Sequence, residues 1–293
     1  MEHHIIESAD GSSSLMLNRF NESYHSSNGA FTEALHIYIR EGVSYLFNKL
    51  ICDSMNSATD NGQFHPITII DIGLGTALNC ITALLWQQRL RRRGLPYPYI
   101  HYIGIEKYPI DATEAKMLNF PEHIAGNQHL FHSESLSQKE SGFTKESQEK
   151  GNLEIESMEE GNGSGIRQEE TRVWYEMIHD AEWEKNIVLA PGFTITKHLA
   201  DITTYKAEDF TSALYPDAPS AVFYDTFSPA TQPDLWEKCI FEEIFKGIRR
   251  GSVLTTYCSK GIVKQALRET GFYLERLSGP PGKRHILRAI KNT

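Results

Sequence analysis

The stretch IIDIGLGTALN, residues 69–79, decides the fold. Ile69 and Ile70 continue a β-branched run that starts at Ile67, just after Pro66, and this is the composition of a buried strand. The run meets an acid, Asp71, then Gly73-Leu74-Gly75 and Thr76, then a helical pattern beginning at Ala77. Glycines at a strand-to-helix turn let the backbone bend sharply and come close to a ligand. The spacing is not the dinucleotide fingerprint, because the third glycine of GxGxxG would fall at Leu78.

Working outward, strand and helix patterns alternate. Helical spacing covers 32–55, where Leu35, Ile39, Val43, Leu46 and Leu50 recur every three or four residues, and also 77–92, 112–123, 171–184, 233–247 and 260–270. Strand composition covers 67–71, 99–106, 193–199, 220–225, 253–257, 272–277 and 283–290. That order predicts an α/β fold with an open, mostly parallel, seven-stranded sheet covered on both faces. The loop 278–282 is too short for a parallel crossover, so the C-terminal strand is expected to run antiparallel.

Composition sets the frame. The 293 residues are 40% hydrophobic and 23% charged, which predicts one globular domain over 1–293 with an N-terminal extension over 1–30. Residues 133–170 hold ten acids and four bases, a net −6 out of the chain's −9, and few large apolar side chains. Such a segment cannot bury enough surface to offset its ordering entropy, so it reads as a disordered acidic insertion. The remaining −3 leaves room for a basic face. No run approaches the roughly 20 apolar residues of a membrane span. The N-terminus lacks the basic head and apolar stretch of a secretory signal. Cys52, Cys80, Cys239 and Cys258 form no CxxC pair, and the 12 histidines are scattered. The expectations are a cytoplasmic protein, no membrane partner and no metal.

Acids at strand ends carry the chemistry. An acid leading a Gly-x-Gly turn is the pattern of Rossmann-like class I S-adenosylmethionine (SAM) methyltransferases, where it faces the cationic methionine end of the cofactor. Glu106 ends the next strand, 35 residues after Asp71, and a carboxylate there can accept both hydroxyls of a ribose. Asp201 follows a third strand, where it would meet the adenine amino group or cap the segment after it. Asp225 follows a fourth strand beside the first, where a transferred methyl would project. Pro229 and Pro233 stiffen the loop behind it.

DIGLGTALN (71–79), GIEKYPI (104–110), FYDTFSPATQPDLW (223–236) and GPPGKRHIL (279–287) resemble the methyltransferase domain of the MnmC family, as does an N-terminal segment with Tyr24, Asn28, Gly29 and Glu33. The resemblance runs from about 21 to 290 outside the acidic insertion. It implies methylation of the aminomethyl group of 5-aminomethyl-2-thiouridine at the wobble position of tRNA, with SAM as cofactor. It implies a cofactor set of Asp71, Gly73, Gly75, Thr76, Glu106, Lys107 and Asp201, with Asp225 as the catalytic base. It implies a substrate set of Tyr24, Phe227, Pro229, Lys283 and Arg284. Arg89, the arginines at 91–93 and Arg288 are further candidates for tRNA phosphates. Bifunctional members carry an oxidase domain too, so this chain is expected to stand alone and to depend on a separate enzyme for its aminomethyl uridine. It departs from the family at Thr226, Ser228, Ala77 and His285. A SAM methyltransferase for another amine or nucleobase stays open, as does a polyamine-type aminopropyl transferase.

Overall fold

The computed structural model describes residues 3–18, 22–55, 66–131 and 165–293. Its strands are β1 (His3–Glu7), β2 (Ser13–Leu17), β3 (Glu22–Ser23), β4 (Pro66–Ile72), β5 (Tyr99–Glu106), β6 (Ile187–Ala190), β7 (Phe193–Leu199), β8 (Ser220–Tyr224), β9 (Val253–Thr256), β10 (Tyr273–Ser278) and β11 (His285–Ile290). Eight of them form one sheet in the order β10-β11-β9-β8-β4-β5-β7-β6. The five inner strands from β9 to β7 are parallel, and β11 is antiparallel to both neighbours, as the short 278–282 loop predicts.

The sheet has one strand more than expected. β6 pairs antiparallel with β7 at the sheet's edge through the tight turn at Pro191 and Gly192. Four residues after a charged segment gave too short a pattern to read.

β4 sits at the centre and is buried from Ile67 onward, so it needs apolar residues on both faces. Ile67 and Ile69 face one core, shared with the long N-terminal helical segment and with the helices Leu78–Arg92 and Gln168–Asp180. Ile70 and Ile72 face the other, shared with Lys238–Gly247 and Gly261–Thr270.

The first helical segment is continuous: Ala30–Ala34 is α, Leu35–Ser44 is a ten-residue π-helix, and Tyr45–Met55 is α again. The helix expected over 112–123 is two pieces, Ala112–Ala115 and Phe120–Gly126. Asn119 between them bonds Ser13 and Gly11 instead of continuing the helix. The helix expected from 233 is a 3-10 turn, Pro233–Trp236, followed by Lys238–Gly247.

The acidic insertion is shorter than 133–170. Ile166 is buried in the core, Gln168–Asp180 is helical, and Glu170 pairs with Arg92. Residues 133–164, on which the expectation of disorder falls, lie outside the described residues. The N-terminal extension forms its own sheet, β1-β2-β3. Its Asp10 accepts from the Thr32 amide at 3.0 Å, and the Ser8 and Ser12 hydroxyls accept from Ala30 and Phe31. A remote segment thus satisfies the amides that the helix start leaves open. Burial would push the Asp10 carboxyl up, but the bonds it accepts from Ser12, Thr32 and Ser8 outweigh it and hold it at about 2.

Candidate functional site

The carboxyl ends of β4, β5, β7 and β8 open into a cavity of about 710 Å³, where an open α/β sheet places its ligands. The N-terminal segment roofs it with Glu22, Tyr24 and His25, and Lys283 and Tyr257 close the far side.

The glycine turn forms the floor. The Gly73 and Leu74 amides both donate to the Ile105 carbonyl, tying the turn to β5. Gly73 has φ +93°, and a Cβ there would lie 2.8 Å from the Asp225 carbonyl oxygen. Gly75 has φ +48°, and its Cβ would lie 3.0 Å from the Tyr24 ring. Ala77 takes a left-handed conformation, φ 59°, without glycine's freedom.

Of the residues named from the sequence, Gly73, Gly75, Glu106, Lys107 and Asp201 line this cavity, and so do Asp225, Tyr24, Phe227 and Lys283. Glu106 accepts from the Gly75 amide at 3.0 Å and from the Tyr108 amide at 2.8 Å. Lys107 pairs with Asp201 at 2.6 Å. Asp201 also caps the turn Ile202–Thr204 through the Thr203 amide, as its capping reading expects, while it lines the cavity. Burial pulls the Asp201 carboxyl up, and the Lys107 and Thr203 contacts outweigh it to leave it lowered.

Four named residues do not line the cavity. Asp71 is fully buried on the opposite face of β4, the face of Ile67 and Ile69, where it accepts from the Tyr102 hydroxyl at 2.5 Å. Burial pushes its carboxyl well above the usual range, and its Oδ1 has no hydrogen-bond partner. It stands behind the turn rather than facing the methionine pocket. The Thr76 hydroxyl lies 2.6 Å from His25 Nε2. Pro229 is buried, and Arg284 is exposed at the β10–β11 turn.

The phosphate candidates also separate. The fifteen residues of Leu78–Arg92 put Arg91, Arg92 and Arg93 about 20 Å along the helix from the glycine turn. Arg89 bonds Gln128, and Arg92 pairs with Glu170. Arg288 is buried between Glu41 and Glu275, each 2.7–2.8 Å away, with its guanidinium over the Tyr45 ring. It is a structural cation, not an RNA contact.

Asp225 meets the turn through its backbone. Its amide donates to the Ile72 carbonyl, which carries β8's direction into the cavity, and its Oδ2 accepts from Asn79 at 2.8 Å. Burial raises its carboxyl above the ordinary value, opposed by the Tyr38 hydroxyl, the Asn79 amide and the Lys283 charge. Lys283 pairs with the buried Glu33 at 2.5 Å and lies over the Tyr257 ring. Tyr24 meets Phe227 edge-on, centroids 5.2 Å apart. The sequence offered little signal for Asn79, Tyr38, Tyr257 or Glu22. Asn79, the second residue of the helix after Gly-x-Gly, was the most findable.

The residues present fit SAM. The cavity volume suits a ligand of that size. The glycine turn leaves no room for side chains. Ile72, Ile105, Ile202 and Leu235 give apolar walls, while Glu106 and Asp201 would be the residues to hold the ribose and adenine. Among the described residues, no three His, Cys, Asp or Glu side chains gather as a metal site, and no helix is long and apolar enough to cross a membrane.

Residues 174–292 match a family described as S-adenosyl-L-methionine-dependent methyltransferase. The chain is 22% identical over 270 residues to the tRNA 5-methylaminomethyl-2-thiouridine biosynthesis bifunctional protein MnmC of Ralstonia nicotianae, covering 92% of this chain and 31% of that protein. It is 23% identical over 277 residues to the protein of that name from Delftia acidovorans, covering 93% and 33%. It therefore spans about a third of the length of these curated relatives. The crystal structure of MnmC2 from Aquifex aeolicus superposes over 100% of this chain and 72% of its own with a TM-score of 0.55 at 19% identity, which shows the fold. Sequence match, fold and cavity agree: the chain is similar to SAM-dependent methyltransferase domains and to the MnmC proteins over most of its length.

Proposed function

We propose that the chain methylates the primary amine of 5-aminomethyl-2-thiouridine at the tRNA wobble position, as a cytoplasmic tRNA (5-methylaminomethyl-2-thiouridylate) methyltransferase. The observation that carries this reading is the position of Asp225. It is a half-buried carboxylate just after β8, its backbone in contact with the glycine turn, facing the same cavity as the Tyr24–Phe227 pair.

SAM supplies an electrophilic methyl when bound. The acceptor amine arrives protonated near neutral pH and has no lone pair to attack with. Asn79 fixes one oxygen of Asp225, and the other takes the amine's proton. The raised pKa of Asp225 makes it a stronger base than an exposed aspartate. Glu22, Glu33, Glu106, Asp201, Asp225 and Asp234 outnumber Lys107 and Lys283 in the lining, which favours cationic groups and keeps a phosphate backbone outside. The Tyr24–Phe227 wall gives a flipped uracil an aromatic surface. Exposed Arg284 beside the cavity meets tRNA phosphates.

The test is methyl transfer from labelled SAM to tRNA from cells lacking the wobble methyltransferase, with nucleosides resolved by mass spectrometry. The expected result is loss of 5-aminomethyl-2-thiouridine and gain of its methylated form. Asp225→Asn should lower the rate about 100-fold or more while SAM still binds. No transfer by a protein that binds SAM in calorimetry would overturn the tRNA assignment. Another amine acceptor would then be the reading that Thr226 and Ser228 support.

A further inference from the structure

The loop after Asp225 is held from two sides. From the sheet side, the Tyr257 hydroxyl donates to the Thr226 carbonyl at 2.9 Å and Trp236 Nε1 donates to the Phe227 carbonyl at 2.8 Å. From the N-terminal segment, Glu22 accepts from the Ser228 amide at 3.1 Å, from the Ser228 hydroxyl at 3.4 Å and from the Thr231 hydroxyl. Two residues further along, Tyr24 packs its ring edge against Phe227. Glu22, Phe227 and Thr231 all line the cavity.

We infer that Glu22 is a positioning residue: its carboxylate latches the loop 226–232 so that Phe227 and Asp225 present one fixed wall to the acceptor. The inference rests on the reading of these two residues as the acceptor side of the site. A carboxylate accepting from an amide and two hydroxyls makes charge-assisted bonds, stronger than neutral ones. The sheet-side contacts fix carbonyls only, so without Glu22 the loop's Ser228 amide and the Ser228 and Thr231 hydroxyls lose this acceptor. Ser228 stands where the MnmC pattern has alanine, and its hydroxyl meets Glu22, so the departure has a local partner. The acceptor wall is therefore completed by a residue some two hundred positions away in the sequence.

Glu22→Ala and Glu22→Gln test the latch. The readouts are kcat/KM for tRNA at saturating SAM, SAM affinity by calorimetry, and amide hydrogen exchange of the peptide 226–232 with S-adenosylhomocysteine bound. Glu22→Ala should lower kcat/KM about 30-fold, as expected for losing hydrogen bonds to a charge, with SAM affinity unchanged. Glu22→Gln keeps an acceptor for the Ser228 amide and should recover most of the loss. Exchange over 226–232 should rise about tenfold in Glu22→Ala and stay near wild type in Glu22→Gln. Unchanged exchange in Glu22→Ala overturns the latch, and so does a parallel loss of SAM affinity. The exchange readout needs no acceptor: faster exchange in a protein inactive on tRNA supports the latch and overturns only the tRNA assignment.

Discussion

Gly73 and Asp225 meet backbone to backbone, with room for no Cβ between them: one on Gly73 would lie 2.8 Å from the Asp225 carbonyl oxygen. The contact joins the cofactor turn to the acceptor loop, and the positive φ of Gly73 adds a second reason for glycine. Gly73→Ala should cost about 2–3 kcal/mol through strain and displacement of the Asp225 backbone. Tm should fall by about 5 °C or more in scanning calorimetry, and SAM affinity should fall with it. An unchanged Tm would show that the turn relaxes freely.

Asp225 trades stability for function. Burial raises its carboxyl, so the folded state holds that proton more tightly than the unfolded chain does. Its contribution to stability is present below the ordinary aspartate range and is lost as pH rises through the raised value. At neutral pH the buried charge is a cost. Asp225→Asn should therefore raise Tm while lowering the methylation rate, and a fall in both would count against a buried charge at this position.

Lys283 works against the burial of Asp225, lowering its pKa. Replacing it by Met removes that opposition, so the acid limb of the kcat/KM profile should move to higher pH. Glu33 would lose its ion pair in that variant, and Lys283→Met with Glu33→Gln controls for the orphaned carboxylate. An acid limb that stays in place in both variants would remove Asp225 as the titrating base.

His101 offers a stability test far from the chemistry. It is buried, with its ring nitrogens 2.7 Å from the Ser212 hydroxyl and 2.8 Å from that of Thr196. Burial lowers its pKa to about 4. A group whose pKa falls on folding contributes stability above its unfolded value, and that stability is lost as pH drops from about 6.5 to about 4. Urea titrations at pH 7 and pH 4 should show His101→Gln losing about 2 kcal/mol less than wild type across this interval. Equal losses would mean that another group governs acid unfolding.

Arg284 and the Arg91–Arg93 pair separate two candidate RNA contacts. Arg284→Glu should weaken tRNA binding about tenfold and reduce its salt dependence, leaving SAM affinity unchanged. Charge reversal at Arg91 and Arg93, at the far end of their helix, should do little. Filter binding at two salt concentrations distinguishes them, and the opposite ranking would relocate the RNA.

The central sheet was legible because β4, β5 and β8 are rich in β-branched and aromatic residues, and Gly73 and Gly75 mark the turn directly. The acids at strand ends were legible too, since Glu106, Asp201 and Asp225 follow strands that the pattern reveals. Arg288 was misread because its partners Glu41 and Glu275 lie on other elements, and nothing local distinguishes a buried cation from a solvated one. Asp71 was placed by analogy with a strand-end acid, yet its position within β4 turns it to the opposite face. Of the roof over the cavity, Tyr24 came from the resemblance, but Glu22 gave no signal: β3 has two residues, and the pairing of Glu22 with Ser228 depends on tertiary docking.

The ten-residue π segment makes the first helix a counted spacer. Tyr38 lies inside it beside Asp225, and Glu33 lies just before it, paired with Lys283. Losing one residue between Tyr38 and Ser44 would let the segment relax toward α geometry and turn everything before the deletion by about 100°. Glu33 would swing away from Lys283 and Tyr38 away from Asp225. A change of one residue in this helix therefore strikes the chemistry at once.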